Sequence, residues 1–177
     1  RFVSDARWED DRILDRHQEM VNEDLGDPDG ALVFDECGFV KKGTDSVGVA
    51  RQYCGTIGKV DNCQVGVFAA YVSPHGYALV DKRLYMPKQW FTEPYEERRQ
   101  KCDMPEGIAY RSKAALAAEM LRDIAGRKHL PFRYILADSI YGDHPEFIEA
   151  AEGTTGAFYF VSIPSDTLCW LKAPVTR

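Results

Sequence analysis

The chain has 177 residues, 45% hydrophobic and 28% charged, with a formal net charge of −6. That length suffices for one compact domain with a real core. The acidic balance counts against a general nucleic-acid coat protein, whose affinity rests on Lys and Arg, though not against a nuclease, and no apolar run approaches the roughly 18 residues of a membrane span.

In chain order, residues 5–25 read as a polar helix with a thin apolar stripe (Trp8, Leu14, Val21, Leu25) that Ser4 could cap. The turn "GDPDG" at 26–30 leads into "ALVF" at 31–34, a short continuous apolar strand that stops at Asp35 and Glu36. A long glycine-bearing stretch follows. Then "QVGVFAAYV" (64–72) and "GYALVDKRLYM" (76–86) form two strands joined by "SPHG". In the second, Tyr77, Leu79, Asp81, Arg83 and Tyr85 share one face by the two-residue period. Pro87, Pro94 and Pro105 make the next segment irregular. Ser112 caps a predicted helix over 113–126 with Leu116, Met120 and Ile124 as its core face and Arg127 and Lys128 at its negative end. "FRYILAD" (132–138) is an apolar strand ending in an acid, "DHPEFIEAAEG" a short helix with Pro145 in its first turn, and "AFYFVSI" (157–163) a last strand. The expected sheet has five strands, a three-strand antiparallel meander and then parallel strands with crossover helices.

Asp35 closes the first strand and Asp138 the fourth. If these strands are parallel neighbours, their ends lie about 4.8 Å apart, at the sheet edge where open α/β folds place ligands. Two acids that close repel, and one of them keeps its proton at neutral pH. A divalent cation removes the conflict, and Mg²⁺ suits such oxygen ligands. An aspartate after a strand is also a common turn former or helix cap, so that reading stays open. Glu36 and Asp143 are one short step away and could substitute as ligands.

The remaining candidates are weaker. Asp81 reads as a structural ion pair with Arg83 or Lys82. Lys41, Lys42, Arg51 and Lys59 fall in a stretch with few acids, either a solvated loop or a DNA track. Arg51, Lys59 and Gln64 could contact phosphate or order the site. Trp8, Trp90 and Trp170 read as core or interface aromatics, with Trp90 also a candidate to stack on an unpaired base. Five cysteines, Cys37, Cys54, Cys63, Cys102 and Cys169, without a CxxC spacing predict reduced thiols, and Cys37 has no histidine near it in sequence to activate it.

The blocks "FDECGFVKKGTDSVGVARQYCGTIGKVDNCQVGVF", "LVDKRLYMPKQW", "MPEGIAYRSKAALAAEML" and "ILADSIYGD" resemble, in order, the signature blocks of DDE transposases, and more narrowly the insertion-sequence 701 group of bacterial mobile elements. The resemblance covers nearly the whole chain. It implies an RNase H-like core, Mg²⁺- or Mn²⁺-dependent cleavage of DNA at the element's ends, and attack of the freed 3′ hydroxyl on target DNA. Asp35 in "FDECGF" and Asp138 in "ADSIYG" match the first and second catalytic acids. The third acid, usually a glutamate on a helix after the fifth strand, has no counterpart. Glu146, Glu149 and Glu152 precede that strand, so the missing acid is expected beyond residue 177.

The expected organisation is an N-terminal helical segment (1–30), a catalytic core (31–165) truncated before the helix with the third acid, and the start of a following segment (166–177). The implied partners are terminal inverted repeats, target DNA and further copies of the chain during transposition, in the bacterial cytoplasm at the nucleoid, with no membrane. Two rivals remain: an RNase H-like nuclease without strand transfer, and a non-catalytic remnant that binds DNA or dimerises.

Overall fold

The computed structural model describes residues 9–168. The Ser4 cap, Trp8, Cys169 and Trp170 lie outside the described residues. Helix α1 (Asp10–Leu25) is followed by strands β1 (Ala31–Val40), β2 (Ala50–Cys54), β3 (Lys59–Ser73) and β4 (Gly76–Tyr85). Helices α2 (Glu96–Lys101) and α3 (Lys113–Arg127) lead to β5 (Tyr134–Ala137), α4 (Ser139–Gly142), α5 (Pro145–Glu152) and β6 (Phe158–Val161). Among the described residues no helix is long and apolar enough to cross a membrane.

The strands form one mixed sheet in the order β2-β3-β1-β5-β6, with β4 also paired to β3. β3 is antiparallel to β1, β2 and β4, whereas β1, β5 and β6 run parallel. This is the RNase H-like arrangement predicted, with two corrections. The sheet has six strands rather than five, because residues 50–54 pair with the first turn-proximal part of β3, Ala50 opposite Cys63 and Cys54 opposite Lys59. β1 also runs on to Val40 instead of stopping at Asp35. The glycines and charges of that stretch hid a ladder that only the long partner β3 supplies, since strand formation depends on cross-strand neighbours more than on local preference.

The core lies between one sheet face and the helices. Leu32, Phe34, Val67, Ala69, Tyr71 and Ile135 from the strands pack against Leu116, Ala117, Met120, Leu121 and Ile124 of α3 and Phe147 of α5. The predicted cap of α3 holds, with the Ala115 N–H donating to Ser112 Oγ at 3.0 Å. Fully burying a side chain of Leu or Phe size contributes about 1.5–3 kcal/mol, so this layer dominates the stability.

One sheet irregularity overturns a predicted face. Pairing between β3 and β4 shifts between Ala69 and Ala70, so Val80 is an extra residue. The bulge resets the alternation: Tyr77 and Leu79 face solvent while the consecutive Val80 and Asp81 are both buried. Helix α1 closes over the gap, with Gln18 Nε2 donating to the Val80 carbonyl at 3.1 Å and His17 Nε2 to that of Leu79 at 2.6 Å. Where α1 ends, the Tyr71 hydroxyl accepts from the Asp27 N–H and donates to the Asp27 carbonyl. Gly30 is required at that approach, because a Cβ there would sit 2.3 Å from the same hydroxyl.

Candidate active site

Strand β1 pairs in parallel with β5 from Ala31 opposite Tyr134 to Phe34 opposite Ala137. The next residue on each chain is an aspartate, Asp35 on β1 and Asp138 after β5. Phe34 is buried in the core and Ala137 packs against it. Successive side chains alternate between sheet faces, so both aspartates belong to the face opposite the one that α3 and α5 cover. There they line one cleft of about 500 Å³ with Val33, Leu136, Phe160 and Ser162.

The two carboxylates are held differently. Asp35 accepts from the Glu36 N–H at 2.8 Å, within a strand that continues past it. Asp138 ends its strand and caps α4, accepting from the Ile140 N–H at 2.9 Å. It is therefore a helix cap and a cleft residue at once. One oxygen of each acid is tied to its own backbone, and the other has no hydrogen-bond partner among the described residues. Burial holds the Asp138 carboxyl above the ordinary carboxylate range, and the neighbouring charges of Glu36 and Asp35 push in the same direction. Anions that raise the proton affinity of Asp138 are what a bound cation would relieve.

The donor set fits a hard divalent ion only as a partial cage. Among the described residues no three His, Cys, Asp or Glu side chains are grouped to hold a metal. Mg²⁺, however, is commonly held by one or two carboxylates and keeps several waters, and the pair facing an open cleft meets that requirement.

Glu36 and Asp143, the possible substitute ligands, are not in this cleft. Glu36 shares the helix-covered face with Phe34, and both of its oxygens are taken. Lys113 Nζ, at the start of α3, donates to Oε1 at 2.8 Å, and the Tyr141 hydroxyl of α4 donates to Oε2 at 2.9 Å. Asp143 sits at the C-terminal end of α4. Glu146, Glu149 and Glu152 lie on α5 and do not line the cleft. The Lys113–Glu36–Tyr141 cluster went unread in the sequence, because its contacts span 77 and 105 positions.

The basic residues gather elsewhere. The Lys41 N–H donates to the Asn62 carbonyl and Arg51 is the β2 partner of Asn62, so both flank one residue of β3. Lys59 lies at the start of β3, 3.6 Å from Asp61, and Lys42 is exposed. Lys41 is six residues beyond Asp35 along one extended strand, roughly 20 Å at 3.3 Å per residue. Gln64 is structural, donating to the Val47 carbonyl at 2.6 Å.

Trp90 is fully buried, its Nε1 donating to the Val49 carbonyl at 3.0 Å under the Arg98 guanidinium, so it is no platform for a base. Asp81 forms the predicted ion pair with Arg83, which also reaches Asp123 at 2.8 Å. Cys37, Cys54, Cys63 and Cys102 are free thiols, and burial pushes Cys63 up to about 11.

A protein-family model described as DDE superfamily endonuclease matches residues 1–177. A protein of Microchaete diplosiphon described as "Probable transposase for insertion sequence element IS701" is 28% identical over 170 residues, covering 93% of this chain. The chain spans 40% of the length of that curated relative. No solved structure matches.

Proposed function

The chain belongs to the DDE superfamily endonuclease family, and from that premise we propose that it carries the catalytic core of an insertion-sequence transposase. In this reading the protein cleaves DNA at its element's ends and joins them to target DNA. Asp35 and Asp138 are two of its catalytic acids, and the third lies outside residues 1–177. The observation that carries the reading is the register itself: two acids, each one residue beyond the last pair of a parallel ladder, lining one cleft.

Endonucleases of this superfamily generally depend on a divalent metal. Asp35 and Asp138 would hold Mg²⁺ or Mn²⁺, which supplies activation of the attacking water or hydroxyl and stabilisation of the leaving oxygen. The chain's own part is geometric and electrostatic. β1 is a central strand that pairs with β3 through and beyond Asp35 and with β5 up to Phe34, which fixes where Asp35 leaves the sheet. The Ile140 N–H orients Asp138. The exposed sheet face leaves room for a phosphodiester, and Lys41, Lys42, Arg51 and Lys59 offer positive charge for the duplex beyond the cleft. Transposition takes place in the bacterial cytoplasm at the nucleoid, with several copies of the protein acting together.

A supercoiled plasmid with labelled element ends, incubated with the protein that carries this chain and Mg²⁺ or Mn²⁺, tests the proposal. The expected products are 3′ ends at the element boundary and molecules joined to target DNA. Cleavage without joining would reassign the protein to the nucleases without strand transfer. Binding without cleavage in either metal would leave a non-catalytic DNA-binding protein.

A further inference from the structure

We propose that Glu36, gripped by Lys113 and Tyr141, is a positioning residue that locks the strand carrying Asp35 to the turn carrying Asp138. The inference rests on the reading of those two aspartates as the metal-holding pair.

The geometry supports a strut rather than a ligand. Asp35 and Asp138 are adjacent in register, but backbone pairing between their strands ends one residue earlier, at Phe34 and Ala137. Beyond that point nothing in the ladder holds the Asp138 turn against β1. The Tyr141 hydroxyl takes over that task, crossing from α4 to Glu36 Oε2 at 2.9 Å. Tyr141 belongs to the very turn that Asp138 opens, since the N–H groups of Tyr141 and Gly142 both donate to the Asp138 carbonyl. The path therefore runs from Asp35 through one peptide bond to Glu36, across one hydrogen bond to Tyr141, and through one helical turn to Asp138.

Each member of the cluster is itself immobilised. The Tyr141 ring is fully buried and packs on Phe147 at 5.7 Å between centroids, and Phe147 meets Phe34 at 5.4 Å. Burial and the neighbouring carboxylates raise the Tyr141 hydroxyl far above its ordinary value, so it stays a donor. Lys113 Nζ lies 5.6 Å from the centre of the Tyr85 ring while it pairs with Glu36. The Glu36 side chain is only 11% exposed, and a carboxylate so enclosed needs that cation and that hydroxyl to offset its desolvation.

A strut and a purely electrostatic neighbour predict different responses to a metal probe. Mn²⁺ binding to the protein that carries this chain, followed by the spectroscopic signal of the free ion, is measured for wild type, Asp35→Asn, Tyr141→Phe and Lys113→Met. Tyr141→Phe removes one oxygen and no charge, and the proposal expects its Mn²⁺ Kd to rise at least fivefold. Lys113→Met deletes a positive charge, which by Coulomb's law alone tightens cation binding. A strut expects weaker binding instead, because Glu36 loses half of its grip.

An unchanged Kd in Tyr141→Phe, or tighter binding in Lys113→Met, overturns the proposal. Should Tyr141→Phe fail to fold, the direction of the Lys113→Met shift decides alone. Equal binding by wild type and Asp35→Asn sinks the metal-pair reading itself and takes the strut with it. Loss in Asp35→Asn together with no loss in Tyr141→Phe sinks only the strut.

Discussion

Asp35 and Asp138 each follow the last residue of the same parallel ladder, Phe34 opposite Ala137, and so stand side by side on the open face of the sheet. Neither needs an unusual backbone to do so. The strand period sends Phe34 and Ala137 inward and the next residue on each chain outward. In the protein that carries this chain, Asp35→Asn or Asp138→Asn is expected to lower end cleavage by on the order of a thousandfold, about 4 kcal/mol of barrier. DNA affinity, measured without metal, is expected to stay near wild type. Cleavage retained in either variant removes that residue from the site.

Metal should also register as stability. An ion that binds only the folded chain adds about 1.4 kcal/mol at a tenfold excess over Kd, a few degrees of Tm for a chain this size. The Asp35→Asn, Asp138→Asn double variant is expected to lose the Mg²⁺-dependent rise in Tm. A rise of equal size there would place the binding elsewhere.

Gly142 separates two kinds of glycine. A Cβ at this position would lie 2.1 Å from the Ser162 carbonyl oxygen, in the contact between α4 and the end of β6. Gly142→Ala is expected to cost about 1–3 kcal/mol through overpacking and to reduce cleavage by pushing the Asp138 turn off the sheet. Gly126, in α3, has nothing within 4 Å of its virtual Cβ, and Gly126→Ala is expected to stabilise by about 0.5–1 kcal/mol. Urea midpoints of the two variants moving in the same direction would contradict the close approach.

Asp81 gives a pH signature. It is 3% exposed, its Oδ2 has no hydrogen-bond partner among the described residues, and burial raises its carboxyl above the ordinary value despite the opposing charge of Arg83. A carboxyl raised in the fold contributes stability that is fully present below the unfolded pKa and lost as pH climbs through the folded one. Asp81→Asn cannot titrate. The stability of wild type minus that of the variant should therefore shrink as pH climbs above the unfolded value of about 4, as urea midpoints at rising pH will report. A difference that widens would mean that the Arg83 pair outweighs burial.

The basic corner makes a salt prediction. If Arg51 meets a phosphate, Arg51→Ala weakens DNA binding about equally for all sequences and lowers the salt slope by about 1. Lys59→Ala is expected to do less, because Lys59 already has Asp61 beside it. An unchanged slope in Arg51→Ala removes it from the interface.

Much of this architecture was legible locally. The Ser112 cap, the Leu116, Met120 and Ile124 face, Pro145 in the first turn of α5 and the parallel order of the late strands all follow from near-neighbour rules, and each is present. Errors arose where a distant partner decides. Strand β2 exists because β3 is long enough to pair with it, and the face of Asp81 is set by a bulge against Ala69 and Ala70. Neither is a property of the segment's own residues.

The residues alone determined which acids could meet, because a strand's apolar run and its terminating aspartate are local patterns that hydrophobic periodicity exposes. Only the tertiary structure decided how they meet. Register, the choice of open face and the grip of Lys113 and Tyr141 on Glu36 arise from contacts across as many as 105 positions. Such contacts exist only once burial of the core has brought those segments together.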